Sequence, residues 1–180
     1  MANTQKWMLG FLCLAGFLAC APWNPKWTQL WLFNTDTPDL WQFITAHFAH
    51  WSWAHWLVNL VAFLSFVAIY SRYLTAKSCL TVTLSLIFFC DVYLYTAYER
   101  SFYLGFSAVL YGLFTFAAMT TYRQAKLINT FVIIYILYKT ISDWAAPSLE
   151  NIYGIAVAFE VHGAAIYTAI MLAIIKLKLR

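Results

Sequence analysis

Apolar residues run through this chain in long blocks broken by short polar stretches, and the block length decides the element type. Runs near or above the roughly 17 residues that cross a bilayer fall at 7–23, 53–70, 79–97, 104–122, 127–144 and 152–175. The pattern predicts an all-α polytopic membrane protein with six transmembrane helices. Connections after the second run are short, so neighbouring helices are expected to run antiparallel in one bundle, with a single membrane domain over 1–180 and no soluble domain left over.

The one long connection, 24–52, breaks the pattern differently. It carries Pro25 and Pro38 among Trp27, Trp31, Phe33, Trp41, Phe43, Phe48 and Trp51. Trp favours the headgroup level, and a partly helical, half-embedded loop satisfies its backbone there as an open chain in lipid does not. The segment is therefore expected in the outer interface. Whether it serves substrate access or is only an aromatic belt stays open at this point. Internal repeats, low-complexity tracts and flexible linkers are absent from the sequence.

Composition agrees with a membrane chain. Of 180 residues, 63% are hydrophobic and only 10% charged, which a soluble domain of this length would not tolerate on its surface. Charge then orients the bundle. With the N-terminus inside, Lys6, Arg72, Lys77, Arg123, Lys126, Lys176, Lys178 and Arg180 lie on the cytoplasmic side, and Lys26, Arg100 and Lys139 on the other. This asymmetry follows the positive-inside rule and puts both termini in the cytoplasm. The net charge of +4 thus reads as topology, and no nucleic-acid partner is implied. Cys13, Cys20, Cys79 and Cys90 lie within or at the ends of apolar runs without CxxC spacing, as buried, reduced thiols would. The first run is read as a retained span. The rival is a cleaved signal ending near Leu18-Ala19-Cys20, but its positive n-region is thin and Phe17 occupies the position three before Cys20.

Against this background a few polar side chains stand out, because ionisable and amide groups are costly in lipid and mark functional sites there. His50, His55 and Asn59 open the second run, Gly105, Ser107 and Tyr111 the fourth, and His162 lies in the sixth. His55, Asn59, Ser107 and His162 stand between eleven and fifteen residues from the cytoplasmic ends of their runs. At about 1.5 Å per residue they share a layer roughly 17 to 23 Å above the inner boundary of a core about 30 Å thick. A lone serine in such a helix ordinarily bonds the backbone one turn earlier; convergence with a histidine is what points to chemistry.

Ser107 as a nucleophile needs a proton acceptor, and a neutral His162 imidazole can take that proton and return it to the leaving amine. Glu160 is about 200° round the helix from His162, so the reading is a Ser/His dyad without a third acid. Tyr111, at i+4 from Ser107, is placed to hold the imidazole. His55 and Asn59, also i and i+4, offer two donors as an oxyanion hole, with the Ser107 N–H a third. Gly105 allows close approach, and His50 takes a structural hydrogen bond. His47 has no assigned role. A metal site from His47, His50 and His55 is weighed and set aside, since no carboxylate stands at ligand spacing, so no cofactor is expected. Asp91, Lys139 and Glu160 are read as pairing between helices or reaching polar cavities.

These residues resemble the rhomboid intramembrane serine proteases. The likeness runs through His50-x4-His55-x3-Asn59, Gly105-x-Ser107 and His162, in the family's order and over most of the chain. It implies a six-helix rhomboid-like bundle, Ser107 as nucleophile, His162 as base, and His55, Asn59 and the Ser107 N–H as oxyanion donors. Ala108 and Ala165 stand where the family commonly has Gly, and Trp41-Gln42 where many members have Trp-Arg. The Ser107-Ala108 pair and the segment TAHFAHWSWAH are most similar to the rhombosortase subfamily of Gram-negative bacteria. That likeness implies an inner-membrane endopeptidase whose active site opens to the periplasm. It would cleave, through an acyl-enzyme, the C-terminal transmembrane anchor of exported proteins with a GlyGly-CTERM tail. The alternatives are a catalytically inactive rhomboid-like protein that binds transmembrane helices, and a small transporter or metal-handling channel built on the histidines.

Overall fold

The computed structural model describes residues 21–145 and 158–179. Seven helices and one two-residue ladder are seen among them: α1 (Pro25–Trp31), β1 (Phe33–Asn34), α2 (Gln42–Thr45), α3 (Trp53–Tyr70), α4 (Ala76–Thr96), β2 (Phe102–Tyr103), α5 (Ser107–Thr120), α6 (Lys126–Ala145) and α7 (Phe159–Lys178). Most of the expected span 7–23 and the first residues of 152–175 lie outside the described residues.

Helix starts follow local chemistry. Ser52 caps α3 by accepting the His55 N–H, and Thr75 caps α4 by accepting the Ser78 N–H, each satisfying a donor that a helix start leaves orphaned. Asn24 caps α1 ahead of Pro25, whose fixed φ suits a first helical position. In α7, Glu160 sits in the first turn and Lys176 and Lys178 in the last, the arrangement that the helix dipole favours.

The bundle is organised around α5. Ten of its fourteen residues are buried, and α7, α6, α4 and α3 all pack against it, α7 most extensively. Small residues make that closeness possible: Ala165, Ala169 and Ala173 recur every four residues along α7 and are wholly buried, as are Ala108, Ala117 and Ala118 on α5, a small-xxx-small contact. Gly112 presses against α4, where a Cβ would clash with the Leu86 side chain. At the end of the bundle away from Ser107, the Tyr70 hydroxyl donates to Asn129 Oδ1 at 2.9 Å and Asn129 Nδ2 to Thr121 Oγ1 at 3.0 Å, so a buried polar relay joins α3, α6 and the end of α5. Outward faces carry Leu57, Val61 and Leu64 on α3, Leu80, Leu84 and Phe88 on α4, and Phe131, Ile134 and Tyr138 on α6, all exposed. Apolar faces of this extent suit lipid contact. Helices α3, α4 and α7 are long and apolar enough to cross a membrane, and the fold is that of a multi-pass membrane protein.

Two expectations need correction. The fourth span was expected from 104, yet α5 begins at Ser107 and has 14 residues, because Gly105 adopts φ +120°, which a right-handed helix does not accommodate. Lys139 was expected to pair between helices or to reach a polar cavity; it bonds Asp143 within α6 at 2.6 Å, one turn on.

The 24–52 connection is built rather than loose. Strand β1 pairs antiparallel with β2, Phe33 opposite Tyr103 and Asn34 opposite Phe102, so the bundle is all-α and the loop adds a small ladder. Gln42 is buried; its Oε1 accepts the Asn34 and Asp39 N–H groups, each at 3.2 Å. The Trp41 indole donates to the Leu30 carbonyl at 3.1 Å and the Thr45 hydroxyl to the Trp31 carbonyl at 3.0 Å. Trp27, Leu30, Leu40, Trp41, Ile44 and Trp51 remain exposed on this unit.

Candidate active site

Ser107 is the first residue of α5, following Phe106 at the N-cap. Its N–H is therefore among those that a helix start leaves without an intrahelical acceptor, and its side chain projects from the end of the buried helix. His162 lies on the first turn of α7, which the alanine contacts draw against α5. The outcome is a distance of 2.9 Å between Ser107 Oγ and His162 Nε2, a hydrogen bond. Tyr111, one turn below Ser107, stacks on the His162 ring with centroids 4.5 Å apart and planes 20° from parallel. His162 is 7% exposed and its Nδ1 has no hydrogen-bond partner among the described residues.

Gly105 links this pair to the second group. A Cβ at Gly105 would lie 2.8 Å from His55 Cε1, 3.0 Å from His55 Nε2 and 3.9 Å from Ser107 Oγ, so the His55 ring fills the space that a side chain would take, beside the serine. Asn59 is one turn further along α3 and buried, and its Nδ2 lacks a partner among the described residues. A buried amide donor left unpaired is costly unless something else arrives to accept from it. His50 is buried with its ring edge-on to His55, centroids 5.1 Å apart.

Other polar residues go elsewhere. Glu160 pairs with Arg100, Oε1 to Nη2 at 3.1 Å. His47, without a role in the sequence reading, is fully buried with Nε2 2.9 Å from Asp91 Oδ1. No three of His, Cys, Asp and Glu converge as a metal would require among the described residues. Cys90 is a buried free thiol; Cys13 and Cys20 lie outside the described residues. A cavity of about 270 Å³ is lined by Tyr111, Asp143, Phe159, Glu160, His162 and Gly163 among others, and so reaches the imidazole.

A serine hydroxyl bonded to an imidazole at the N-terminal end of a buried helix, beside an unpaired amide donor, is equipment for acyl transfer. Residues 37–178 match the family profile of the Rhomboid domain. The chain belongs to the rhomboid family. The match takes in the 24–52 connection from Thr37 as well as α3 to α7. Rhomboids are known as intramembrane serine proteases acting on membrane-protein substrates within the bilayer. No curated protein matches this sequence. Where rhomboids commonly carry Gly, Ala108 and Ala165 are both fully buried at the α5–α7 contact, so one methyl each is accommodated there. Gln42, at the common Arg position, braces the loop through two backbone N–H groups.

Proposed function

We propose that this rhomboid is an active serine endopeptidase of the bacterial inner membrane, cutting within the C-terminal transmembrane anchor of exported proteins. The observation that carries the reading is the 2.9 Å bond from Ser107 Oγ to His162 Nε2. As Ser107 Oγ attacks the scissile carbonyl, its proton passes to His162 Nε2. The resulting oxyanion is met by the Ser107 N–H, Asn59 Nδ2 and the His55 ring. Collapse of this intermediate breaks the C–N bond, and the imidazolium gives its proton to the departing amine. An acyl ester on Ser107 remains, and water attacks it with His162 again as base. Tyr111 holds the imidazole in plane throughout.

Substrate class rests on the likeness to rhombosortases in the Ser107-Ala108 pair and the segment TAHFAHWSWAH, which favours tails of the GlyGly-CTERM type. The charge asymmetry supports an active site opening to the periplasm with both termini cytoplasmic. Labelling of the detergent-solubilised protein with a fluorophosphonate tests the core of this reading without needing a substrate. Wild type is expected to label, and Ser107→Ala and His162→Ala are not. A folded wild type that takes no label, yet holds a tailed protein in a stable uncut complex, would instead identify a helix-binding rhomboid without protease activity.

A further inference from the structure

The pair His47–Asp91 has no part in the chemistry just described, yet its neighbours hold Gly105, two residues before the serine. His47 follows α2 and has no solvent exposure; its Nε2 lies 2.9 Å from Asp91 Oδ1 on α4. A buried ionisable pair is weak evidence of stability, since apolar residues of similar volume commonly serve as well or better. Its surroundings offer a different use. The Ala46 carbonyl, one residue before His47, accepts the Gly105 N–H at 2.9 Å. Tyr103 stands edge-on to the His47 ring, centroids 5.5 Å apart, and its hydroxyl donates to the Gly105 carbonyl at 2.9 Å. Burial keeps the Tyr103 phenol well above its ordinary pKa, so it remains a donor. Both backbone polar groups of Gly105 are thus held by immediate neighbours of the pair, one through the chain and one through a ring contact. Gly105 in turn abuts His55 and stands two residues before Ser107.

We propose that His47 and Asp91 are positioning residues for the nucleophile turn. By anchoring the interfacial loop to α4, they fix the Ala46 carbonyl and the Tyr103 hydroxyl on Gly105. This sets where α5 begins and where Ser107 Oγ stands relative to His162 and His55. The inference rests on Ser107 being the nucleophile.

Replacing both partners, as His47→Leu with Asp91→Leu, separates positioning from stability because it leaves no buried charge unpaired. The double variant is expected to unfold thermally near the wild-type temperature while its fluorophosphonate labelling slows roughly 10- to 100-fold, the scale of a small misplacement of reacting groups. His47→Gln, whose amide can still bond Asp91, is expected to keep more of the rate than His47→Leu. Should the leucine variants fail to fold, Tyr103→Phe removes only the hydroxyl on Gly105 and carries the same expected slowing. Folded variants that label at the wild-type rate beside a labelling wild type would overturn the positioning role alone. A folded wild type that does not label would overturn the nucleophile reading and this inference together.

Discussion

Gly105 is the residue on which the site geometry turns. Its φ of +120° is open to glycine and strained for other residues, and the space beside it already belongs to His55. Gly105→Ala is therefore expected to lose most activity, because relief requires moving either the imidazole or the turn that carries Ser107. The measurement is labelling rate against thermal unfolding, with the rate falling further than any loss of folded protein explains. Asn59→Ala tests the other donor: removing one oxyanion donor costs about 10² to 10³ in rate elsewhere, and a loss under about threefold would take Asn59 out of that role. Ser107, His162, His55 and Asn59 were legible as candidates because polar groups in apolar runs are few, and depth counting put them in one layer. His47 was not, because its partner is 44 residues away and no local spacing connects a loop histidine to a residue on another span.

Among the described elements, hydropathy located the long helices but not every helix end. The run 53–70 coincides with α3, where Ser52 caps the start, and 127–144 is within a residue of α6 at each end. The run 104–122 overshoots α5 at both ends, since an apolar residue in a turn, such as Leu104 or Phe106, scores like one in a helix. The loop's two-residue ladder was equally invisible, its strands being too short for an alternating pattern. Packing gives a paired prediction. Gly112→Ala forces a methyl into Leu86 and is expected to destabilise by about 1–3 kcal/mol, the range for overpacked cores. A methyl on Gly163 would meet nothing within 4 Å, so Gly163→Ala is expected to stay within about 0.5 kcal/mol. Urea or thermal unfolding in detergent separates them; equal effects would mean that α5 and α4 have room that their geometry denies.

For the whole molecule, the open question is which way the bundle faces, because the same site serves different substrates on the two sides of a membrane. Charge supplies the argument. Cationic residues cluster at the end of the bundle away from Ser107, in the turns after α3 and α5 and at the end of α7, whereas Glu99 and Asp143 lie towards the serine. Positive charge near span ends favours the cytoplasm, which supports the proposed outward-facing Ser107. Single cysteines report this directly. Ser101 and Gln124 are exposed turn residues at opposite ends of the bundle, and neither substitution alters the charge that sets topology. Ser101→Cys is expected to react with a membrane-impermeant thiol reagent in intact spheroplasts, and Gln124→Cys only after permeabilisation, with the native thiols of the unsubstituted chain as background. The reverse pattern would bring the serine to the cytoplasmic half, where an exported protein's tail is not presented for cutting, and would leave the dyad in need of a different substrate.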